Sequence, residues 1–326
     1  PVIADKLLQR GVAKILEAIY ESDFLSCSYG YRPRSGALRA VKDLSSELGS
    51  RKYHNVVEVD IKSFFTNINH DLLLGMLTKR IDDKRFLNLI RKWLKAGIME
   101  TDGQVTHPVT GTPQGGVVSP ILANIYLHHV IDEWFEETVQ KHSRGQVYMC
   151  RYADDFVCAF ENSKDAERFY KALGQRLERF GLQVAENKTR IIEFSHCKVR
   201  VKTKFDFLGF EFHWGVNRGG KPILKRRTSR DKLQASLAKF KVWFKKYSSL
   251  PKKILFMKLN RKLQGYYNYY GVRGNYKSLN SFVYRIWQLL YKWLNRRSQR
   301  KSYNVKGFKG LVKDFGIAKP RICHDF

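Results

Sequence analysis

Two adjacent carboxylates, Asp154 and Asp155, lie in the segment Val147-Tyr-Met-Cys-Arg-Tyr-Ala-Asp-Asp-Phe-Val-Cys-Ala-Phe160. Apolar and aromatic β-formers flank them on both sides, a pattern that predicts two short strands joined by a tight turn with the acids at the turn. Neighbours on a straight strand point to opposite faces, and a turn relaxes that restriction so both carboxylates can serve one site. Crowded carboxylates repel unless a cation neutralises them, and hard oxygen ligands suit Mg²⁺. An Asp-Asp pair alone also suits an ordinary surface turn, so the pair needs support from elsewhere in the chain.

That support is Asp60. It closes the β-branched run Asn55-Val-Val-Glu-Val-Asp60-Ile-Lys-Ser-Phe-Phe65, read as a buried strand ending near Phe65. Alone, Asp60 reads as a turn residue or a helix cap. Together, three converging carboxylates could hold two Mg²⁺ ions about 4 Å apart, a pair that stabilises the attacking and leaving oxygens of a phosphoryl transfer. In such a reaction the protein supplies position and charge.

The elements around these acids alternate helix and strand. Leu7, Leu8, Val12, Ile15, Leu16 and Ile19 recur at helical spacing. A Gly/Pro-bearing break at 28–35 separates that helix from a second. Asn69-His-Asp71 caps another helix, and residues 84–96 form one with Phe86, Leu89, Ile90, Trp93 and Leu94 inward. A hairpin is expected over 98–110 around Asp102-Gly103, and a long helix after Ser119-Pro120, where Pro fits a first turn. Residues 164–180 form an amphipathic helix, followed by strands near 190–194 and 205–212. Three more helices are predicted at 229–247, 252–270 and 277–297. The last carries a stripe of Leu279, Phe282, Val283, Ile286, Leu289, Leu290, Trp293 and Leu294, with Lys277, Arg285, Lys292 and Arg296 outside it.

Charge divides the chain unevenly. The 326 residues carry a net +30, which points to a polyanionic partner. Residues 221–326 hold 28 Lys and Arg against 3 Asp and Glu, a net +25; residues 1–220 hold 32 against 27, a net +5. A nearly balanced catalytic body followed by a basic clamp is the expected arrangement. The 5 cysteines, at 27, 150, 158, 197 and 323, show no Cys-x-x-Cys spacing and read as buried thiols rather than a disulfide framework. No run of 18 apolar residues is present, so no membrane association is expected and a cytoplasmic location is the default.

The chain resembles the reverse transcriptases encoded by group II introns. The motifs that carry the resemblance occur in family order: Ser28-Tyr-Gly-Tyr-Arg-Pro33, Asp60-Ile-Lys-Ser-Phe-Phe65, Gly111-Thr-Pro-Gln-Gly-Gly-Val-Val-Ser-Pro120, Tyr152-Ala-Asp-Asp155, Gly181-Leu-Gln-Val through Glu186-Asn-Lys-Thr189, and Phe207-Leu-Gly-Phe210. The resemblance implies an α+β right-hand polymerase fold: partial fingers and palm over 1–227, a helical thumb (the X or maturase domain) over 228–300, and a basic tail over 301–326 that begins a DNA-binding region. It implies RNA-directed DNA synthesis with Asp60, Asp154 and Asp155 as catalytic ligands of two Mg²⁺ ions, Mn²⁺ substituting. The partners implied are an RNA template with a DNA primer, dNTPs, group II intron RNA and target DNA. The location implied is bacterial cytoplasm, with nucleoid association during mobility.

Individual residues follow from the same comparison. Ile61, Phe65, Gln114, Gly115 and Lys188 would line the nucleotide site, with Phe65 excluding a ribose 2′-OH. Phe64 reads as structural, and core packing is the plain alternative for Phe65. Phe207, Leu208, Gly209 and Phe210 would form the primer grip, Gly209 letting the backbone approach the primer closely. Arg32 and Arg34 would contact template phosphates or form structural ion pairs, since guanidinium forks suit both. Lys277, Arg285, Lys292 and Arg296 would face the nucleic acid. Tyr266, Tyr267, Tyr269 and Tyr270 could stack on bases, though at helical spacing some must pack inward. His128-His129 falls on a predicted helix where adjacent positions face different ways, so no metal site is expected there.

Two further expectations concern organisation. The sequence opens on Pro1, and the resemblance places basic fingers strands upstream that contact the triphosphate; this span alone is expected to bind nucleic acid but extend a primer poorly. No Cys-x-x-Cys pair accompanies a His-Asn-His arrangement, so the endonuclease of some family members is not expected here. Other readings stay open: an RNA-binding maturase with little polymerase activity, or a domesticated host-defence reverse transcriptase. An RNA-templated RNA polymerase is disfavoured by the aromatic at the sugar gate.

Overall fold

In the computed structural model the described residues are 2–96, 98–99, 105–106, 110–112, 116–201, 203–296 and 302–326. They form two compact units, Pro1–Thr203 with Arg218–Pro222, and Lys204–Asn217 with Ile223–Phe326. The compact units divide at Lys204, a division by packing that is distinct from the functional boundary at 227/228 expected from sequence.

The first unit is built on a four-stranded antiparallel sheet. Strand β1 (Asn55–Asp60) is central, paired on one side with β5 (Asp155–Phe160) and on the other with β6 (Arg190–Glu193); β4 (Val147–Tyr152) pairs with the far side of β5. The β-branched run of β1 is buried on both faces at Val56, Val57 and Val59, as a central strand covered by helices requires. Helices α1 (Ile3–Tyr20), α2 (Ala37–Gly49), α4 (His70–Thr78) and α5 (Lys84–Leu94) form where the apolar spacing predicts them. Asn69 caps α4, accepting from the Asp71 and Leu72 N–H groups at 3.0 Å. Helix α6 (Ser119–Leu127) continues through two π-helical segments, His128–Asp132 and Phe135–Val139, into α7 (Gln140–His142). Helix α8 (Ser163–Glu178) buries Phe169, Leu173 and Leu177. A short β2–β3 pair (Ile98–Met99, Val105–Thr106) matches the expected hairpin, whose tip lies outside the described residues.

Strand β1 ends at Asp60, five residues before the end expected from sequence. Ser63 takes a left-handed φ of 48°, and its carbonyl accepts from Thr66 N–H and Oγ1 at 3.1 and 2.8 Å. That turn starts the short helix α3 (Phe64–Asn67). Lys62 N–H still donates to Gln183 O at 2.8 Å, and Ala185 N–H to Asp60 O at 2.9 Å, so the Gly181–Val184 motif closes along Asp60–Lys62.

The second unit has a three-stranded sheet, β7 (Lys204–Phe207), β8 (Phe210–Val216) and β9 (Pro222–Thr228), and four helices: α9 (Arg230–Tyr247), α10 (Lys252–Tyr270), α11 (Tyr276–Leu294) and α12 (Val305–Phe315). Its core is aromatic and leucine-rich; Tyr266 stacks on Phe282 at 3.8 Å between ring centroids. The stretch expected as a basic tail is integrated here. Phe308 and Leu311 of α12 are buried, and beyond it Tyr267 donates to Ala318 O at 2.8 Å.

One side chain ties the first unit together. Arg151 on β4 is fully buried and distributes its guanidinium over four elements. Nε and Nη2 donate to the two carboxylate oxygens of Asp132 in the π-helical segment at 2.7 and 2.5 Å. Nη1 donates to Asn124 Oδ1 on α6 at 3.2 Å and to Ala153 O in the β4–β5 turn at 3.1 Å. Nη2 also reaches Ser28 Oγ at 2.7 Å. Burial disfavours both charges, yet each holds the other ionised: Arg151 is pushed up and Asp132 pulled down by their mutual attraction.

Removing one member strands the other, so Arg151→Met should destabilise the protein by about 3–5 kcal/mol. Pairing it with Asp132→Leu removes the stranded carboxylate and should return most of that loss in a denaturant midpoint. A double variant as unstable as the single would show that the ion pair is not what holds these elements.

Candidate active site

The Tyr152–Asp155 turn is a two-residue hairpin loop, with Tyr152 opposite Asp155. Ala153 has a φ of 57°, a left-handed conformation that costs a non-glycine residue about 1 kcal/mol or more. The surroundings enforce it. Arg151 holds the Ala153 carbonyl from below. From the other side the Ser28–Pro33 motif presses on the turn: Tyr29 N–H donates to Arg151 O at 2.9 Å and Arg151 N–H to Cys27 O at 2.8 Å. Gly30 is required by contact: a Cβ there would lie 2.5 Å from Ala153 N. Asn124 Nδ2 donates to the Gly30 carbonyl at 2.5 Å, which returns the contact to the Arg151 network.

Across the sheet, Asp60 is the register partner of Asp155. The turn and the strand end thus bring Asp60, Asp154 and Asp155 to one end of the sheet, although 94 positions separate Asp60 from Asp154. Asp154 is pushed above the usual carboxylate range, chiefly by burial and further by the charge on Asp60, while a backbone N–H opposes the shift. Lys188 donates to Asp60 Oδ2 at 2.9 Å, and that hydrogen bond together with the three carboxylates raises the ammonium pKa. Asp60 and Lys188 line a cleft of about 1050 Å³ with Lys62, Gln183 and Glu186. The donor set is all carboxylate oxygen, the set that hard divalent cations take, and a cation would offset the cost of holding Asp154 charged, a cost set by burial first and by Asp60 after it. By donor chemistry the residues suit Mg²⁺, while the group whose ligand atoms lie within 4.8 Å of one another among the described residues is His128, His129 and Glu133.

Other residues singled out from sequence fall as follows. Ile61 is buried and bridges Val184; its side chain packs in the core, between the cleft-lining Asp60 and Lys62. Phe65 is half-buried, edge-on to buried Phe64 at 5.3 Å. The segment Thr110–Thr112 is pinned against it: Thr112 N–H donates to Phe65 O at 2.8 Å and Gly111 N–H to Ile68 O at 2.7 Å. Gly111 has a φ of 94°, and a Cβ would meet Thr66 backbone atoms at 2.8 Å. Gln114 and Gly115 lie outside the described residues.

Arg32 is committed to structure. It forms a fork on Glu21 at 3.1 and 2.9 Å and donates to the Leu25 and Ser28 carbonyls, so structural bonds take four of its five N–H donors. Arg34 is exposed. In the second unit, Leu208 and Gly209 form the two-residue β7–β8 turn with φ of 49° and 80°. The space a Gly209 Cβ would take is filled by the Tyr270 hydroxyl, 2.9 Å away; the glycine is explained by the turn and this contact. Tyr269 donates to Leu208 O at 2.9 Å, while Tyr266 and Tyr267 are buried. Tyr269 and Tyr270 thus contact the hairpin, while Tyr266 stacks on Phe282 and Tyr267 donates to the Ala318 carbonyl within the core. Lys277, Arg285, Lys292 and Arg296 are all exposed.

Sequence reasoning missed the Arg151–Asp132–Asn124–Ser28 network. Arg151 stood in view, a charged residue inside a run of β-formers, and its burial was the available signal. The π-helical segment also overturns the facing argument for the histidines. His128 and His129 have ring centroids 5.1 Å apart, and ligand atoms of His128, His129 and Glu133 lie within 4.8 Å of one another. An extra residue per turn alters which side chains share a face.

The raised Asp154 pKa has a stability consequence. A carboxyl pushed above its unfolded value contributes stability at low pH that is lost as pH rises through the folded pKa. In metal-free buffer, Asp154→Asn should therefore raise the thermal midpoint at pH 7, and the gain should shrink as pH falls through the raised Asp154 pKa and be gone below the ordinary Asp value. A gain that is independent of pH would assign it to something other than the carboxylate charge.

Comparison with known proteins places this geometry. The family described as "Reverse transcriptase (RNA-dependent DNA polymerase)" matches residues 1–212. The group II intron-encoded protein LtrA of Lactococcus lactis subsp. cremoris is 29% identical across 97% of this chain and 65% of its own length. The nuclear intron maturase 3, mitochondrial, of Arabidopsis thaliana is 26% identical over 64% of this chain and 31% of its own. Among solved structures, apo telomerase from Candida tropicalis superposes with a TM-score of 0.53 at 13% identity, covering 95% of this chain and 54% of that one; this likeness concerns the fold. The chain thus spans 65% of the length of its intron-encoded relative. Among the described residues no helix is long and apolar enough to cross a membrane. With the matched span holding all three converging acids, the chain belongs to the reverse transcriptase (RNA-dependent DNA polymerase) family and is related to the proteins encoded by group II introns.

Proposed function

We propose that this chain is the catalytic portion of a group II intron reverse transcriptase that copies RNA into DNA and binds its intron RNA. The observation that carries the reading is the convergence of Asp60, Asp154 and Asp155 at one sheet end, with Asp154 destabilised as a free carboxylate. Two divalent ions bound there would neutralise charge on the attacking and leaving oxygens of nucleotidyl transfer.

The protein's own residues do the positioning. Asp60 presents its carboxylate from a strand end fixed by Ala185 and Thr189. Asp154 and Asp155 are presented by a turn clamped between Arg151 and Gly30. Lys188 holds Asp60 in the resting geometry and is placed to meet phosphate charge. Phe65, on α3 with its ring against Phe64, is assigned by the family motif to crowd a ribose 2′-OH. Gln114 and Gly115 are assigned to the nucleotide site by the family motif alone.

In the functional division, residues up to 227 make partial fingers and palm, including the primer grip at Phe207–Phe210. Residues 228–300 make the thumb, which holds the duplex through shape and phosphate contacts. Lys277, Arg285, Lys292 and Arg296 supply charge from α11 and its C-terminal end, and Arg34 remains available to a template phosphate. Intron RNA, target DNA and a bacterial cytoplasmic location accompany the same assignment. A maturase with little polymerase activity is the second reading, favoured by the strong positive charge of residues 221–326.

Two measurements separate these readings. In a version that carries complete fingers, Asp154→Ala should abolish primer extension in Mg²⁺ while sparing most RNA binding; near-normal extension by the variant would remove the catalytic assignment. Phe65→Val should raise ribonucleotide incorporation relative to deoxynucleotide incorporation in single-turnover kinetics. Unchanged sugar discrimination would return Phe65 to a packing role.

A further inference from the structure

Three further ligating side chains meet on the π-helical continuation of α6, and the backbone is what brings them together. Glu133 N–H donates to His128 O, an i→i+5 bond. In an α-helix five residues turn through about 500°, which leaves positions i and i+5 roughly 140° apart around the axis. The wider turn closes most of that gap, so His128, His129 and Glu133 come to one face. His128 Nε2 lies 3.5 Å from Glu133 Oε1, and His129 Nδ1 lies 2.8 Å from Glu133 Oε2. One ligand atom from each of the three residues falls within 4.8 Å of the other two.

The neighbouring helix holds the segment in this form. Arg176 on α8 donates through Nη2 to His129 O and through Nε to Val130 O, both at 3.0 Å. Its guanidinium lies over the Phe180 ring, 4.7 Å from the centroid. The two imidazoles, by contrast, are only partly bonded. Their side chains are 5% and 10% exposed. His128 Nδ1 and His129 Nε2 are buried and have no hydrogen-bond partner among the described residues. Buried polar atoms are ordinarily satisfied, so these call for an explanation. A hydrogen bond between His129 and Glu133 accounts for that pair alone and leaves unexplained why a second buried imidazole faces the same carboxylate. Behind it, His128 Nδ1 faces Asp132 Oδ2 across 3.8 Å. A carboxylate behind an imidazole is the arrangement that orients a metal-bound histidine.

The donor set selects the ion. Zn²⁺ takes imidazole nitrogen and carboxylate oxygen at about 2.0–2.2 Å in a tetrahedron, which sets neighbouring ligand atoms roughly 3.3 Å apart. The separations of 2.8 and 3.5 Å bracket that value, so small side-chain rotations complete the set. Two imidazoles and one carboxylate leave a fourth position for water beside the partly exposed Glu133. Imidazole nitrogen favours Zn²⁺ over Mg²⁺ and Mn²⁺, so this cluster and the three acids prefer different ions.

We propose that His128, His129 and Glu133 form a Zn²⁺ site that clamps the π-helical segment. Its role is structural: the ion braces the stretch that presents Asp132 to Arg151. The site stands on its own geometry and does not depend on the polymerase reading.

The test uses the full chain, freed of metal with a chelator and then kept in excess Mg²⁺ so that the three acids are occupied. Co²⁺, whose visible absorption reports tetrahedral ligation, is titrated in and then displaced by Zn²⁺. The expected result is one Co²⁺ per chain, displaced by Zn²⁺, and a thermal midpoint raised by about 5 °C at a Zn²⁺ concentration of roughly 100 times the dissociation constant. Glu133→Gln keeps the side-chain shape at a partly exposed position. It should weaken Zn²⁺ binding at least about ten-fold while leaving the metal-free midpoint close to that of the unaltered protein. His129→Gln removes a second ligand and should weaken binding by at least as much. Asp154→Asn and Cys197→Ser should leave the Co²⁺ spectrum unchanged; Cys197 is included because its Sγ lies 3.4 Å from His196 Nε2. Absence of saturable binding up to about 100 μM, binding that survives both Glu133→Gln and His129→Gln, or a spectrum lost in Cys197→Ser or Asp154→Asn would overturn the site. Primer extension plays no part in these readouts, so loss of the polymerase reading through Asp154 is a separate outcome.

Discussion

The first unit depends on one buried guanidinium. Arg151 sits on the strand that leads into the acidic turn, and each of its five N–H donors is answered: two by Asp132 and one each by Asn124, the Ala153 carbonyl and Ser28. A charge in that position is costly unless every bond is made. The cost is what makes it a constraint, since helix α6, the π-helical segment, the Ser28 loop and the turn must all arrive together. The left-handed Ala153 is tolerated because its carbonyl is held and because Gly30 leaves room for its backbone.

At the sheet end, the turn and the strand end bring Asp60, Asp154 and Asp155 together, and Lys188 pairs with Asp60. A divalent cation bound there would offset carboxylate charge, and sites that bind charged ligands commonly carry such unmet charge.

Much of this was legible in the residues. The β-branched and aromatic runs of β1 and β5, buried on both faces, and the helical stripes of α8 and α11 are local patterns, and local patterns survive into the fold. Asp60, Asp154 and Asp155 could be picked out because a hairpin turn and a strand end are recognisable from β-formers and spacing. What could not be read were features set by distant partners. The early end of β1 comes from a left-handed Ser63 and its hydrogen bonds. The π-helical register, which draws His128 toward His129, leaves no mark in apolar spacing. The burial of Arg151 depends on Asp132, 19 residues earlier. The basic segment after 301 looked like a tail by charge, but Phe308 and Leu311 were enough to dock it.

The central claim is that Asp60, Asp154 and Asp155 form one divalent-metal site for nucleotidyl transfer. Counting protein-bound Mn²⁺ by electron paramagnetic resonance tests it most directly, in the presence of primer–template and a non-reactive dNTP analogue. The account predicts two tightly bound ions per chain and loss of at least one in Asp60→Asn, with primer–template binding retained. No tightly bound Mn²⁺, or a count unchanged in Asp60→Asn, would contradict it.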